Sequence, residues 1–191
     1  MSLPIQKKIS AKSSKNLSKR VCQGDIFTKV EIIENLKIVG NKIQVEKLFF
    51  PFVVCLNQEC DLEIDFNSRE KNKDSKLLHI AIAPAFNFED FLTGNHWGGK
   101  IFDSNNPSKR DQSRIKTIMD NETPRYHYLN FNEPNMPELI VDFKHFFTIK
   151  RDVLYNEIDN RLCSLDDLFK EKLSQRFSNF ISRIGLPTEM M

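Results

Sequence analysis

Three polar residues that could carry chemistry follow an apolar run in the first third of the chain. Residues 49 to 56 are apolar throughout, and Gln58, Cys60 and Asp61 come almost directly after them. Cys60 is a nucleophile where a neighbouring base or positive charge favours its thiolate. Asp61 has the chemistry of a general base, a metal ligand or an orienting acceptor. The structural alternative is that Cys60 packs as a small hydrophobe and Asp61 caps the following turn.

A second candidate lies in the segment RYHYLN, residues 125 to 130. In a strand, alternation places Arg125, His127 and Leu129 on one face, and Tyr126 and Tyr128 on the other. A planar guanidinium binds anions through a fork of donors, and an imidazole moves protons near neutral pH. The pair therefore suits phosphate chemistry. The alternative is that Arg125 pairs with a carboxylate and His127 is an ordinary cross-strand neighbour.

The other histidines have structural interpretations. Asp142, flanked by apolar residues, is an alternative partner for Arg125 across strands. His145 shares the strand parity of apolar neighbours, as does His79, so both are predicted to lie in or beside the core. His96 and Trp97 lie in a Gly-rich loop, where they either stack on a base or ring or simply anchor the loop.

The cysteines and the N-terminus indicate a reduced, cytosolic protein. No apolar segment of the signal-peptide type follows the N-terminus, and no apolar run approaches the roughly 20 residues of a membrane span. The chain has four cysteines, of which Cys55 and Cys60 form a C-x4-C spacing without a second pair to complete a structural zinc site. We expect reduced thiols, no bound metal, no cofactor and no membrane partner.

Charge is unevenly distributed along the 191 residues. The first 24 residues carry six basic and no acidic residues, although the net charge of the whole chain is only +2. We predict a disordered basic leader over residues 1 to 20, followed by a single domain over residues 21 to 191. Such a leader either touches nucleic acid or is a solvated terminus.

Periodicity predicts strands, short helices in the middle of the chain and a long terminal helix. Strands are predicted at 23–33, at 34–56 with a turn at Gly40–Asn41, at 77–86 with a stop at Pro84, at 125–131 and at 139–149. Short helices are predicted at 87–94 and 111–120, and a charged loop at 67–76. The strongest pattern is the helix at 164–185, with Ser164 as N-cap, Asp167 at N3, and Gly185 at its end.

These elements predict an α+β fold, because the strands predominate and do not alternate with helices. The expected architecture is a mostly antiparallel barrel or curled sheet with short inserted helices and a C-terminal helix.

Several segments carry a resemblance to known proteins. The order GDIF, QECDL, RYHYL and RF…RIGLP, over residues 24 to 187, looks like a family of uncharacterised bacterial proteins. GDIF followed by FPFVVCL is similar to the opening of PemK/MazF-type toxins, which are SH3-like barrels that cut or bind RNA. Phe50 stands before Pro51 where that family has its catalytic arginine. The resemblance thus implies an SH3-like barrel and a groove, and not the arginine's role.

The sequence leads to two functional hypotheses. In the first, a PemK/MazF-like module engages RNA or another phosphate-bearing ligand and cleaves a phosphodiester, with Asp61, Arg125 and His127 as catalytic residues. Four further residues would contact the ligand in that site: Gln58, Cys60, Tyr126 and Trp97. In the alternative, the chain is a non-catalytic interaction component of a bacterial defence or toxin–antitoxin system, and binds a protein partner through its C-terminal helix or basic leader.

Overall fold

One antiparallel sheet organises the chain. A computed structural model describes residues 11–13, 17–40, 42–71, 76–96, 99 and 108–183. Eight strands occur in this part of the chain: β1 (Ala11–Ser13), β2 (Asp25–Val39), β3 (Lys42–Cys55), β4 (His79–Asn87), β5 (Tyr126–Leu129), β6 (Leu139–Asp142), β7 (Phe147–Lys150) and β8 (Arg161–Leu165). They lie in the order β1-β8-β2-β3-β4-β6-β5, and β7 shares one edge of β4 with β6. The fold is therefore α+β, as predicted.

Five α-helices cover the two faces of this sheet in the described ranges: α1 (Glu59–Glu70), α2 (Phe88–Thr93), α3 (Lys109–Met119), α4 (Arg151–Asn156) and α5 (Asp167–Ile181). Alternation along β4 shows the division. Ala83 and Ala85 point into a core cluster that includes Leu173 of α5. Ile80 and Ile82 point the other way, into a cluster under α1 and α4. A third cluster lies under α2 and α3, so α5 alone occupies one face and the other helices occupy the opposite face.

The hairpin predicted around Gly40 forms, and it extends beyond the sheet. β8 pairs with β2 only at Asp25–Phe27, and β4 pairs with β3 only at Phe52–Cys55. Beyond those positions β2 and β3 pair only with each other. We call residues 28–39 and 42–51 the hairpin arm. Gly40 has φ +61°, the left-handed conformation that its turn requires.

Both short helices occur where periodicity places them. α2 buries Phe88 and Phe91. α3 begins two residues earlier than predicted, because Ser108 and Asp111 form a reciprocal capping box at its N-terminus. Its C-terminal part packs Ile118 into the third cluster, which brings the end of α3 against β5.

Several boundary predictions are wrong. β4 continues through Pro84, and the segment predicted as one strand at 139–149 is divided into β6 and β7 by a 3-10 turn at Phe143–His145. The apolar strand ending at Cys55 is followed by α1, where the sequence predicted a strand exit and a charged loop. Ser164 is not an N-cap but a buried residue of β8, paired with Asp25. The terminal helix therefore begins at Asp167, and Gly185 lies outside the described residues.

The described strands do not close into a barrel. β1 and β5 are the two ends of the pairing order, and no pairing between them occurs in the described residues. β1 lies within the predicted disordered leader, yet it pairs with Ser164 and its neighbours in β8. No described helix is long and apolar enough to cross a membrane.

Buried arginines join the elements to one another. Arg161 of β8 donates to Asp25 of β2 at 2.7 Å, and both side chains are almost wholly buried. Arg151 of α4 donates to Asp65 of α1 at 2.5 Å. Arg176 of α5 donates to the backbone carbonyls of Asn121, Thr123 and Tyr126, which fixes α5 to the segment between α3 and β5.

Candidate functional site

Gln58, Cys60 and Asp61 lie together at the exposed start of α1. Gln58 is the N-cap residue, and its side chain makes no capping hydrogen bond. The Cys60 thiol lies 3.7 Å from the Gln58 Oε1 and 3.9 Å from the Asp61 Oδ1. The structure therefore keeps these three side chains together and accessible. Cys60 is not the buried hydrophobe of the structural alternative.

Asp61 and His127 lie on opposite sides of the sheet. α1 packs through Leu62 on the cluster beneath α1 and α4. His127 faces the α5 side, where its ring lies 6.2 Å from that of Phe143. The sheet stands between the two groups. The structure does not bring Asp61 to His127, because the strand before Asp61 leads into a helix on the other face.

The predicted alternation holds over Tyr126–Leu129, but Arg125 precedes β5 and stacks on Tyr126 on the α3 side. The prediction that Arg125 and His127 share one face is therefore wrong.

His127 is buried and uncharged. Its residue is 2% exposed, and its Nδ1 has no hydrogen-bond partner among the described residues. Burial lowers the pKa of His127 to about 3, and the positive charges of Arg176 and Lys172 act in the same direction. An imidazole with this pKa has no proton to give as an acid near neutral pH. The environment of His127 therefore does not suit the proton-transfer role predicted for it.

A groove of about 720 Å³ opens beside His127, between α5 and the segment that joins α3 to β5. Its wall is mixed in character, with Phe169 and Met119 as apolar members and Asn130, Lys172 and Gln175 as polar ones. The side-chain amide of Asn121 donates to and accepts from the backbone of Tyr128, which holds the floor of this groove in place.

Arg125 forms a two-pronged ion pair with Asp142. Its Nε lies 2.8 Å from Oδ1 and its Nη2 lies 2.6 Å from Oδ2. The hydrogen bonds that Arg125 donates to Asp142 raise the pKa of Arg125. The guanidinium also stacks 4.8 Å from the centre of the Tyr126 ring. The cross-strand pairing considered for Asp142 is thus confirmed, and it holds the guanidinium in one orientation.

His145 completes this cluster, although the sequence pattern placed it in the core or at its rim. Its Nε2 lies 3.8 Å from Asp142 Oδ2 and 3.5 Å from Arg125 Nη2. The side chain is 42% exposed. Of the two positions predicted for His145, the core is wrong, because the 3-10 turn at Phe143–His145 interrupts the alternation on which the prediction rested. An imidazole beside a carboxylate and an arginine is an acid–base arrangement.

A small pocket lies between α3 and β5, on the same side as Tyr126. Its volume is about 360 Å³. Two arginines, two threonines and two ring or alkyl groups line it: Arg114, Arg125, Thr117, Thr123, Tyr126 and Ile118. Burial raises the pKa of the Tyr126 hydroxyl, Asp142 adds to that rise, and Arg125 and Arg114 oppose it. The pocket therefore combines cationic, hydroxyl and aromatic groups, which are the groups that bind phosphate-bearing ligands.

The remaining predicted groups lie around these sites or outside the described residues. His96 is buried between Phe86 and Phe91, and burial lowers its pKa. Trp97 lies outside the described residues. Cys55 and Cys163 are buried, and burial raises the pKa of both thiols. Among the described residues, no group of three or more histidine, cysteine, aspartate or glutamate side chains could hold a metal ion.

Comparison with known proteins adds no family. No protein-family model matches this chain, and no curated protein sequence matches it.

Proposed function

We propose that this protein binds a phosphate-bearing ligand, with single-stranded RNA as the first candidate, in the pocket between α3 and β5. The main support for this proposal is that Arg114 and Arg125 line one pocket together with two threonine side chains and the Tyr126 ring. Arginine matches the geometry of phosphate oxygens, and an aromatic face beside it accepts a base or sugar. Two nitrogens of Arg125 already donate to Asp142, so the ligand would meet the remaining donors of a guanidinium held in place.

The charge pattern of α3 favours an extended anion over an isolated one. Arg110, Arg114 and Thr117 follow one another at helical spacing and share a face that leads to the pocket. Four helical residues advance about 6 Å, so this face offers donors in succession along a chain of phosphates. The exposed basic residues of the same helix, Lys109 and Lys116, add to the positive field around that face.

The PemK/MazF resemblance enters this proposal in a revised form. We propose that the fold is related to the SH3-like barrels, and the mostly antiparallel sheet with a C-terminal helix supports this. In those toxins the arginine precedes the proline that corresponds to Pro51. In this protein we propose that Arg125, at the β5 edge, contacts the phosphate instead.

Phosphodiester cleavage is a second candidate, favoured by the contact of His145 with Asp142 and Arg125. In such a reaction His145 would take the proton of the ribose 2′-hydroxyl, whose oxygen would bond to the adjacent phosphorus as the bond from phosphorus to the 5′-oxygen of the next nucleotide breaks. The leaving 5′-oxygen would take a proton from water, and Arg125 would stabilise the charge that develops on the phosphate. Asp142 would orient both groups. His127 and Asp61 have no part in this arrangement.

Binding is tested by fluorescence anisotropy with a labelled single-stranded RNA over a series of salt concentrations. We expect Arg114→Gln and Arg125→Gln each to weaken binding about 10-fold or more, and to lower the slope of log K against log salt by about 0.7 for each phosphate that the variant no longer binds. Arg183→Gln changes an exposed arginine just after the C-terminal end of α5; it is the matched control and should bind as the unaltered protein does. Arg125→Lys should restore part of the affinity, which separates a charge contact from a folding defect.

Failure of the unaltered protein to bind RNA, or binding that neither pocket variant changes, would overturn the proposal. The interaction-module hypothesis would then take its place. Cleavage is tested separately by gel analysis of end-labelled RNA. Loss of products in His145→Gln, but not in His79→Gln at another exposed histidine, supports the second candidate; equal products in both variants refute it.

A further inference from the structure

The exposed side chains of the hairpin arm are sorted by type onto its two faces. Leu36 lies opposite Val45 and Ile38 lies opposite Ile43, so these four side chains share one face. The pairs Ile33–Lys47 and Glu31–Phe49 fall on the same face. We call it the apolar face; its exposed hydrophobic members are Ile33 (61% exposed), Leu36 (59%), Ile38 (80%), Ile43 (70%), Val45 (46%) and Phe49 (50%).

The opposite face of the arm packs on the second core cluster at its base, through Val30, Ile32, Leu48 and Phe50, and is polar towards its tip. Asn35 and Lys37 both bond to Glu46 there, Asn35 at 3.2 Å and Lys37 as an ion pair. The only exposed large hydrophobe on that face among the described residues is Val39, which lies opposite Lys42. An arm that merely extended into solvent would have no reason to separate its side chains in this way.

A bulge in β2 produces the separation. The register shifts between Ile33 and Asn35, so Glu34 has no partner on β3. With Glu34 paired, Leu36 and Ile38 would move to the face opposite Val45 and Ile43. The extra residue thus gathers the hydrophobic side chains onto one surface, and such bulges re-aim side chains where a function needs it.

The apolar face is too large to be an ordinary exposed patch. A fully exposed side chain of this size presents on the order of 200 Å², so the six exposed fractions leave roughly 700 Å² per arm, against about 300–600 Å² for the largest patch on a typical monomer. A stable protein interface takes about 800 Å² from each partner. In addition, an isolated two-stranded hairpin is marginally stable in water and gains from being covered.

We propose that the apolar face binds the apolar face of a second copy of this chain, forming a two-fold symmetric dimer. The face has no net charge to attract a nucleic acid or a strongly charged protein, because its charged members Glu31 and Lys47 form an ion pair at 2.9 Å. The whole arm carries four lysines against three glutamates, so two identical arms do not repel each other strongly. A two-fold axis places the same hydrophobic surface on both sides, and the area matches what such an interface needs.

The test compares two neighbouring residues on opposite faces. Ile38→Glu puts a charge in the proposed interface, and Val39→Glu puts the same charge one residue away on the polar face. The full chain and both variants are followed by sedimentation equilibrium from low to high micromolar concentration. We expect a dimer for the unaltered protein and for Val39→Glu, and a dimer dissociation constant raised about 100-fold or more for Ile38→Glu.

Three results would overturn this inference: a monomer over the whole concentration range, equal weakening by the two variants, or a dimer that Ile38→Glu leaves intact. Circular dichroism of both variants establishes that the body remains folded, and Ile43→Glu repeats the test from the other strand. This inference is independent of the RNA-binding proposal, since the arm shares no residue with the pocket between α3 and β5.

Discussion

Two arginine–aspartate pairs lie near the two ends of the sheet, and they differ in what surrounds them. Arg161 and Asp25 join β8 to β2, with side chains 5% and 0% exposed. Arg125 and Asp142 lie at β5 and β6, with the arginine 28% exposed and beside a pocket. The first arginine also holds the backbone carbonyls of Ser18 and Arg20. The same chemistry therefore serves as an internal connection at one end and as an accessible cation at the other.

The largest expected effect tests this difference through stability. Arg161→Met leaves the Asp25 carboxylate buried without its cation and should cost about 3–5 kcal/mol of unfolding free energy. Arg125→Met should cost less, about 1–2 kcal/mol, because water can enter where the half-buried arginine lay and the Lys144 N–H still donates to Asp142. Urea unfolding of both variants measures the two losses. Equal losses would mean that the pair at β5 is as structural as the pair at β8.

An intermediate effect concerns the dependence of stability on pH that the buried His127 in β5 produces. The pKa of His127 falls from 6.5 to about 3 on folding. Between these values the unfolded chain binds more protons than the native protein, so the free energy of unfolding falls as pH drops through that window. The contribution of this one group is up to about 1.4 kcal/mol per pH unit.

Urea unfolding at a series of pH values from neutral to acidic measures this slope. His127→Gln has no imidazole to protonate, so its slope should be smaller than that of the unaltered protein by this amount. Identical slopes for the two proteins would contradict the buried, neutral state of His127.

The smallest expected effect on stability concerns Cys60, which belongs to neither arginine–aspartate pair. Cys60 is exposed at the start of α1, whereas Cys55 and Cys163 are buried. A thiol reagent should label Cys60 in the folded protein and reach the two buried thiols only on unfolding. Cys60→Ser should remove that rapid labelling and change the unfolding free energy by no more than about 0.5 kcal/mol. Rapid labelling that persists in the variant would assign it to the half-buried Cys22.

Local patterns predicted the elements whose buried faces are made of hydrophobic side chains. The hairpin around Gly40, helices α2 and α3, and the alternation over 126–129 follow from spacing that the core then satisfies. The strand end predicted at Pro84 is wrong, although a proline usually ends a strand. Pro84 lies on β4 at the break between its partners β6 and β7, where a missing N–H removes no ladder bond from that edge.

Elements whose burial depends on distant partners could not be predicted in this way. The buried side of α1 contains Asp65, which is 1% exposed and is neutralised by Arg151, 86 residues later. A helix with a buried carboxylate shows no clear apolar stripe, so its sequence resembled a charged loop. Ser164 was wrongly predicted as an N-cap because its position in β8 depends on pairing with the distant Asp25.

Two of the four main residues of the candidate site could be predicted from the sequence. Arg125 and its alternative partner Asp142 were found from residue type and neighbours. His145 was missed because only the three-dimensional path of the 3-10 turn directs it outward. Arg114 was missed because nothing in the spacing of α3 indicates that its end meets β5.

Strand β1 has a consequence out of proportion to its three residues. By lying on β8, Ala11–Ser13 occupies backbone donors and acceptors that would otherwise be open to any extended peptide. If the same three residues lay on the β8 of a neighbouring molecule, each copy would offer one strand and accept another. A reciprocal exchange between two copies would close as a dimer, whereas exchange passed from each copy to the next would form an open-ended fibre. The position of this short segment therefore decides between a discrete particle and linked molecules.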